Sequence, residues 1–233
     1  MCSRNACIRY HRIVGQSAVN RVIVATGRRF RARRMARFAQ VLDWLNDKRI
    51  LDIGGSERFW RQWPGADVTL LNVHFIDVAE RPRIQADATS TGLCDDAYDI
   101  AFSNSVLEHL GSWERQEAFA REVSRVAPAY WVQTPARGFP VDPHLMAAFV
   151  HWLPKRWQHR LARFTPWALL CDPDPELRRR VVDELRLLTA DEVRRLFPDA
   201  TIERERVLGL TKSYVAYRVE HGVGRVGRGS AGA

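Results

Sequence analysis

The sequence predicts an α/β fold built on a doubly wound, mostly parallel sheet, and three observations predict it. Short apolar runs alternate with segments whose apolar residues recur at helical spacing. The first of those runs stops abruptly at two glycines, Gly54 and Gly55, as a buried strand does when it enters a tight turn. The last two β-rich runs are so close in sequence that they must pair antiparallel.

The elements follow in order. Residues 1–30 show no clear amphipathic order and read as a basic N-terminal arm, mobile or ordered by a partner, with a short extended piece at SAVNRVIVAT. A helix is expected from about Phe30 to Asn46, where Met35, Phe38, Val41, Leu42 and Leu45 form one stripe. RILDIGG (49–55), VTLLNV (68–73), RIQADA (83–88) and YDIAFSN (98–104) supply four strands. Trp113 to Val126 reads as a helix with Phe119, Val123 and Val126 inward and a Glu117–Arg121 pair outside. AYWVQT (129–134) is the fifth strand. Residues 135–175, rich in proline, tryptophan and arginine, break the rhythm and read as an insertion with one or two helices that caps the substrate. A helix over Asp183–Phe197 and the strands TIERERVLGL and SYVAYRV close a domain spanning 31–220, and 221–233 form a flexible glycine- and arginine-rich tail.

Composition narrows the function. The chain of 233 residues is 46% hydrophobic, enough for a real core, and no apolar run reaches the length that crosses a membrane. No charged-then-apolar leader opens it, which points to the cytoplasm. The net charge of +9 suggests a polyanion binder until it is located. Ten arginines precede Asp43, the first acidic residue, and from there on 26 basic residues face 27 acidic ones. The body therefore carries no basic excess, and nucleic acid is not the expected partner. Cys2, Cys7, Cys94 and Cys171 include no CxxC pair and no zinc-finger spacing, so no metal is expected.

The informative stretch is LDIGGSERFW. A glycine turn after the first strand lets a ligand approach the backbone at the carboxyl edge of the sheet. Neither the third glycine of a dinucleotide fingerprint nor the GK[ST] of a P-loop is present, so a ligand without phosphates fits better. Asp87 follows the third strand, and the fourth ends in SNSVLEH, which places polar groups at the same edge. The combination LDxGG…FSNSxxEH…VQTPxxxFPxxPH, over residues 35–219, resembles the class I S-adenosylmethionine-dependent methyltransferases, in particular a group of small bacterial enzymes. The resemblance implies a Rossmann-like seven-stranded sheet with an antiparallel last strand, and S-adenosylmethionine as cofactor. It implies that Asp52, Gly54 and Gly55 contact the methionine and ribose end, that Asp87 faces the adenine amine, and that Asn104 and Ser105 line the methionine portion. At the end of the second strand the family most often has an acidic residue on the ribose diol. Here Asn72 stands there, without a carboxylate's charge-assisted bond, and Asp77 is the nearest acidic substitute.

Methyl transfer from a sulfonium is an in-line displacement that needs alignment and, for an oxygen or nitrogen nucleophile, a group to take its proton. His109, beside Glu108 after the fourth strand, is the first candidate. His144 and His151 are further candidates; if Pro143 opens a helix, they share one face with Asp142 close by. HWLPKRWQHRLARFTPWALL interleaves tryptophans with basic residues, a composition suited to an anionic membrane surface and so to a lipid- or glycan-linked acceptor as well as a small molecule. The expected function is methyl transfer to an O or N nucleophile of such an acceptor. A catalytically inactive cofactor-binding protein and an RNA methyltransferase are the alternatives.

Overall fold

The computed structural model describes residues 18–42, 47–75 and 80–219, with the backbone alone described for 18–29 and Arg58. Asp77, residues 1–17 and the tail from 220 onward lie outside the described residues.

Seven strands form one sheet. They are β1 (Ile50–Ile53), β2 (Val68–Asn72), β3 (Arg83–Gln85), β4 (Ile100–Asn104), β5 (Ala129–Pro135), β8 (Thr201–Val207) and β9 (Leu210–Arg218), in the order β3-β2-β1-β4-β5-β9-β8. β1 pairs in parallel with β2 and β4, β2 with β3, and β4 with β5. β9 runs antiparallel to both β5 and β8, so it alone is reversed and β8 shares the direction of the rest. The expected mostly parallel sheet and antiparallel last strand are therefore present. Leu208 and Gly209 join β8 to β9 with φ of 49° and 81°, the double left-handed turn that matches strand twist in a two-residue hairpin. A second, two-stranded sheet pairs β6 (Val141–Asp142) with β7 (Ala147–Ala148) inside the expected insertion.

Alternating strand residues divide the core into two layers. On one face Leu51, Ile53, Tyr130 and Val132 pack against Phe119 and Val123 of α3 (Trp113–Val126) and against Leu196 of α7 (Ala190–Leu196). On the other, Ile50, Phe102 and Trp131 meet Met35, Phe38 and Leu42 of α1 (Ala18–Leu42) and Trp60 of the one-turn α2 (Glu57–Trp60). Phe38 sits 5.0 Å from Phe102 and 5.3 Å from Trp131 between ring centres. Three such side chains hold α1 to the sheet with roughly 5–9 kcal/mol of gross burial, an upper bound.

Several expectations change. SAVNRVIVAT is not extended: α1 begins at Ala18 and crosses the expected arm boundary at residue 30. Its valines and isoleucine lower helix propensity by only a few tenths of a kcal/mol each, too little to stop a helix anchored further on. The expected helix over 183–197 is two helices, α6 (Pro175–Glu184) and α7, because Thr189 and Glu192 form a reciprocal capping box that starts α7 afresh. No helix opens at Pro143. Residues 143–146 are instead the turn between β6 and β7, and the insertion's helices are α4 (Lys155–Ala162) and α5 (Pro166–Cys171). No described helix is long and apolar enough to cross a membrane.

Candidate active site at the carboxyl edge of the sheet

The glycine turn after β1 is fixed from beneath. Gly54 has φ +82°, and a Cβ on it would fall 2.2 Å from Val106 Cγ2, so only glycine fits. A Cβ on Gly55 would fall 1.9 Å from a carboxylate oxygen of Asp52. Asp52 is 2% exposed and accepts a hydrogen bond from Trp60 Nε1 at 2.5 Å. Burial pushes its carboxyl up to about 7, opposed by the indole N–H. Asp52 therefore lies under the turn and shapes it, while Gly54 and Gly55 remain half-buried with their backbone reachable from outside.

The neighbouring strand ends bring their polar groups to the same edge. Asn72, at the end of β2, donates from Nδ2 to Gly55 O at 3.5 Å. Asp87, just beyond β3, accepts from Thr89 N and Oγ1 at 2.8 and 2.7 Å and from Arg115 Nη2 at 3.0 Å. Burial works to raise its pKa, but the bonds from Thr89 and Arg115 outweigh it and hold it below the ordinary value. Its carboxylate is 42% exposed, which leaves acceptor capacity on the open side.

Asn104 and Ser105 close β4. Ser105 takes a left-handed φ of 62°, and its Oγ donates to Gln133 Oε1 at 2.9 Å. Nη1 of Arg34, from α1, donates to Asn104 Oδ1 and to Gln133 Oε1. The other side of that guanidinium grips Glu205 of β8 through Nε at 2.9 Å and Nη2 at 2.7 Å. Burial works to raise the Glu205 pKa, but Arg34 and Ser213 prevail and keep it low. The first helix thus reaches the strand tips, a contact that sequence reasoning missed. Ten arginines without an acid give no local signal for which of them turns inward.

Beyond Ser105 the chain makes a 3-10 turn, Leu107–His109, that carries the expected Glu108 and His109. Glu108 is fully buried; Thr134 Oγ1, from β5, donates to its Oε2 at 3.0 Å. Its Oε1 has no hydrogen-bond partner and faces His144 Nε2 at 3.6 Å. His144 comes from the β6–β7 turn, with Nδ1 3.0 Å from Asp142 Oδ1. The His109 and His144 rings stand perpendicular with centres 4.5 Å apart. Burial works against a charged His144, but Asp142 and Glu108 overcome it and raise its pKa to about 9. His109 keeps an open rim to solvent, yet burial of its inner side, helped by the charge on His144 and opposed by Glu108, lowers its pKa. The structure thus joins three of the expected catalytic residues and adds Thr134 and Asp142 behind them. His151 stands apart, with Nε2 3.1 Å from Arg137 O.

Residues 51–128 match the family described as a methyltransferase domain. No curated protein sequence matches the chain. Magnesium protoporphyrin IX methyltransferase from Synechocystis, solved with bound S-adenosylhomocysteine, is a structural neighbour at TM-score 0.53 and 14% identity, covering 92% of this chain and 94% of that one. A S-adenosylmethionine-dependent methyltransferase from Archaeoglobus fulgidus aligns at TM-score 0.51 and 10% identity, covering 81% of this chain and 93% of its own. At such identities the likeness is one of fold.

Proposed function

We propose that this chain is a class I S-adenosylmethionine-dependent methyltransferase, a reading its matched domain and sheet support, and that it transfers the methyl group to an oxygen or nitrogen nucleophile of a small-molecule, lipid or sugar acceptor. The observation that carries the reading is the convergence, at one sheet edge, of an open glycine turn with the buried Glu108–His144 pair and the accessible His109.

The half-exposed polar groups fit the cofactor. The reachable backbone of Gly54 and Gly55, with Asn72 alongside, suits the methionine and ribose end, and the exposed lone pairs of Asp87 suit an exocyclic amine. Asn104 and Ser105 line the β4 side, and Asp52 acts from below as a positioning residue. S-adenosylmethionine, when bound, supplies an electrophilic methyl on a sulfonium. The protein's share is to align the acceptor, exclude water and receive the acceptor's proton. His109, on the open side of the cluster, is placed to receive it, with Glu108 and His144 ordering the wall behind.

The exposed face of the insertion supports an acceptor held at an anionic membrane surface. Trp152, Trp157 and Phe164 are 46%, 43% and 61% exposed, among Arg156, Arg160 and Arg163. An RNA acceptor is less well supported, because Arg34 and Arg37 of α1 are tied to Glu205 and Glu203.

Calorimetric titration with S-adenosylmethionine tests the cofactor site. Binding at one molecule per chain is expected, and at least about tenfold weaker for Asp87→Ala, the worth of one charge-assisted hydrogen bond. No heat at millimolar cofactor would overturn the reading. Labelled cofactor with native extract, split into lipid and aqueous phases, then locates the acceptor; label in neither phase favours a binding protein without turnover.

A further inference from the structure

We propose that Glu108, His109 and His144 form a binding site for one divalent transition-metal ion, of the zinc type, on the acceptor side of the pocket. The proposal rests on the reading of that pocket as the acceptor site.

Four observations carry it. The three side chains each offer a ligand atom, and those atoms lie within 4.8 Å of one another. Two ligands sharing a tetrahedral zinc at ordinary bond lengths sit about 3.4 Å apart. Glu108 Oε1 and His144 Nε2, at 3.6 Å, already stand at that spacing. His109 needs only a small ring adjustment, at an exposed position that permits one.

The second observation is an orphan. Glu108 is fully buried, and its Oε1 has no hydrogen-bond partner. Its nearest neighbour, His144 Nε2 at 3.6 Å, is an ion-pair partner beyond hydrogen-bond reach, so Oε1 keeps a lone pair that an ion between the two side chains could take.

The third is an outer shell set for a ligand role. Asp142 is fully buried and holds His144 through Nδ1, which turns Nε2 toward Glu108. That is the carboxylate–histidine arrangement that orients metal-bound imidazoles. Thr134 Oγ1 holds the other oxygen of Glu108, leaving Oε1 for the ion. The fourth is asymmetry of access: Glu108 and Asp142 are sealed inside, while His109 is open. An ion there keeps at least one coordination position toward the pocket, as in catalytic rather than structural sites.

Such an ion deepens the proposed function in one respect. It favours an acceptor that presents a hydroxyl oxygen to the metal, whose proton would then pass more easily to solvent water at the open side, and the ion would take over from His109 the task of activating that oxygen. The sequence carries no familiar metal spacing because the ligands come from a 3-10 turn and a distant hairpin.

The test uses the full chain stripped of metal by chelator, then titrated with Co2+ followed by visible absorption and with Zn2+ followed by calorimetry. One equivalent per chain is expected, with the ligand-field bands of a four- or five-coordinate site that Zn2+ abolishes. His109→Ala, at an exposed position, is expected to keep the parent's thermal melt and lose those bands. Asp142→Asn is expected to weaken Zn2+ binding about 10–100-fold. Absence of stoichiometric Co2+ bands, or bands unchanged in His109→Ala, would overturn the proposal and leave a plain Glu108–His144 ion pair. Cofactor titration of the same stripped protein separates this failure from failure of the methyltransferase reading, because it needs no metal.

Discussion

Gly54 and Asp52 show how much a single position at the site decides. With φ +82° and Val106 against its missing side chain, Gly54 tolerates no substituent. Gly54→Ala adds left-handed strain of about 1–2 kcal/mol and an overpacking term of about 1–3 kcal/mol. Urea unfolding is expected to show a loss of about 2–5 kcal/mol, and the melt of the variant is expected to respond less to S-adenosylmethionine. Asp52 gives a prediction in pH. Its carboxyl is raised by burial from 3.8 to about 7, so between those values the folded protein holds a proton that the unfolded chain has released. Stability from this group therefore falls as pH rises from about 4 to 7, and the penalty persists above 7. Asp52→Asn keeps an acceptor for the Trp60 indole without the ionisation. It is expected to match the parent near pH 4 and exceed it above pH 7; parallel stability profiles would show that Asp52 is not strained. The glycine turn was legible in LDIGG because backbone demands are local. That Asp52 would point under the turn was not, since its partner Trp60 is brought there by the packing of α2.

At the scale of elements, strands and helices with strong local periodicity were legible, and those set by tertiary partners were not. Trp113–Val126 appears with the bounds that its apolar spacing indicates. The start of α1 had no such spacing. The break between α6 and α7 did carry a signal, the Thr189–Glu192 capping box, hidden within an apolar run. The candidate cluster draws on the 3-10 turn after β4, on β5 and on a hairpin distant in sequence, so the presence of Glu108, His109 and His144 was readable but their meeting was not. Arg34 joins these levels, because one guanidinium links α1 to the tips of β4, β5 and β8. Its side chain is 9% exposed and that of Glu205 16%. Arg34→Met leaves Glu205 with only the hydroxyl of Ser213, Gln133 with only that of Ser105, and removes the Arg34 bond to Asn104. Breaking a buried pair from one side costs about 3–5 kcal/mol. The double variant Arg34→Met, Glu205→Leu is expected to recover much of it, and a double-variant cycle read by urea unfolding measures the coupling. Arg37→Met, whose pair with Glu203 is largely exposed, is expected to change stability by less than about 1 kcal/mol.

For the whole molecule, the seven-stranded sheet and the β6–β7 hairpin bring the candidate site side chains to one edge, and the insertion between β5 and α6 builds the wall beside it. That wall explains why the net charge misleads. The arginines of α1 that drive it to +9 are partly spent on β8, whereas the segment from Trp152 to Phe164 contains no acidic residue at all. Lys155 is turned inward, donating to Val182 O and to Leu185 O, the latter at 2.9 Å, so the outward charge there rests on Arg156, Arg160 and Arg163. Arg160 lies over Trp157 and Arg163 over Phe164, at 5.1 and 4.6 Å from the ring centres. Aromatic bodies flanked by guanidinium groups match the depth profile of a lipid interface, apolar below and anionic above. Each basic residue near an anionic surface is worth about 1 kcal/mol, so three of them supply roughly 100-fold in partition. The protein is expected to cosediment with vesicles containing phosphatidylglycerol and hardly with phosphatidylcholine alone, and to release as salt shortens the screening length. Replacing Arg156, Arg160 and Arg163 together by glutamine is expected to abolish that difference while leaving cofactor titration unchanged, because these residues lie outside the strand-tip pocket. Equal retention on both lipids, or retention insensitive to salt, would remove the membrane-held acceptor and leave a freely diffusing one.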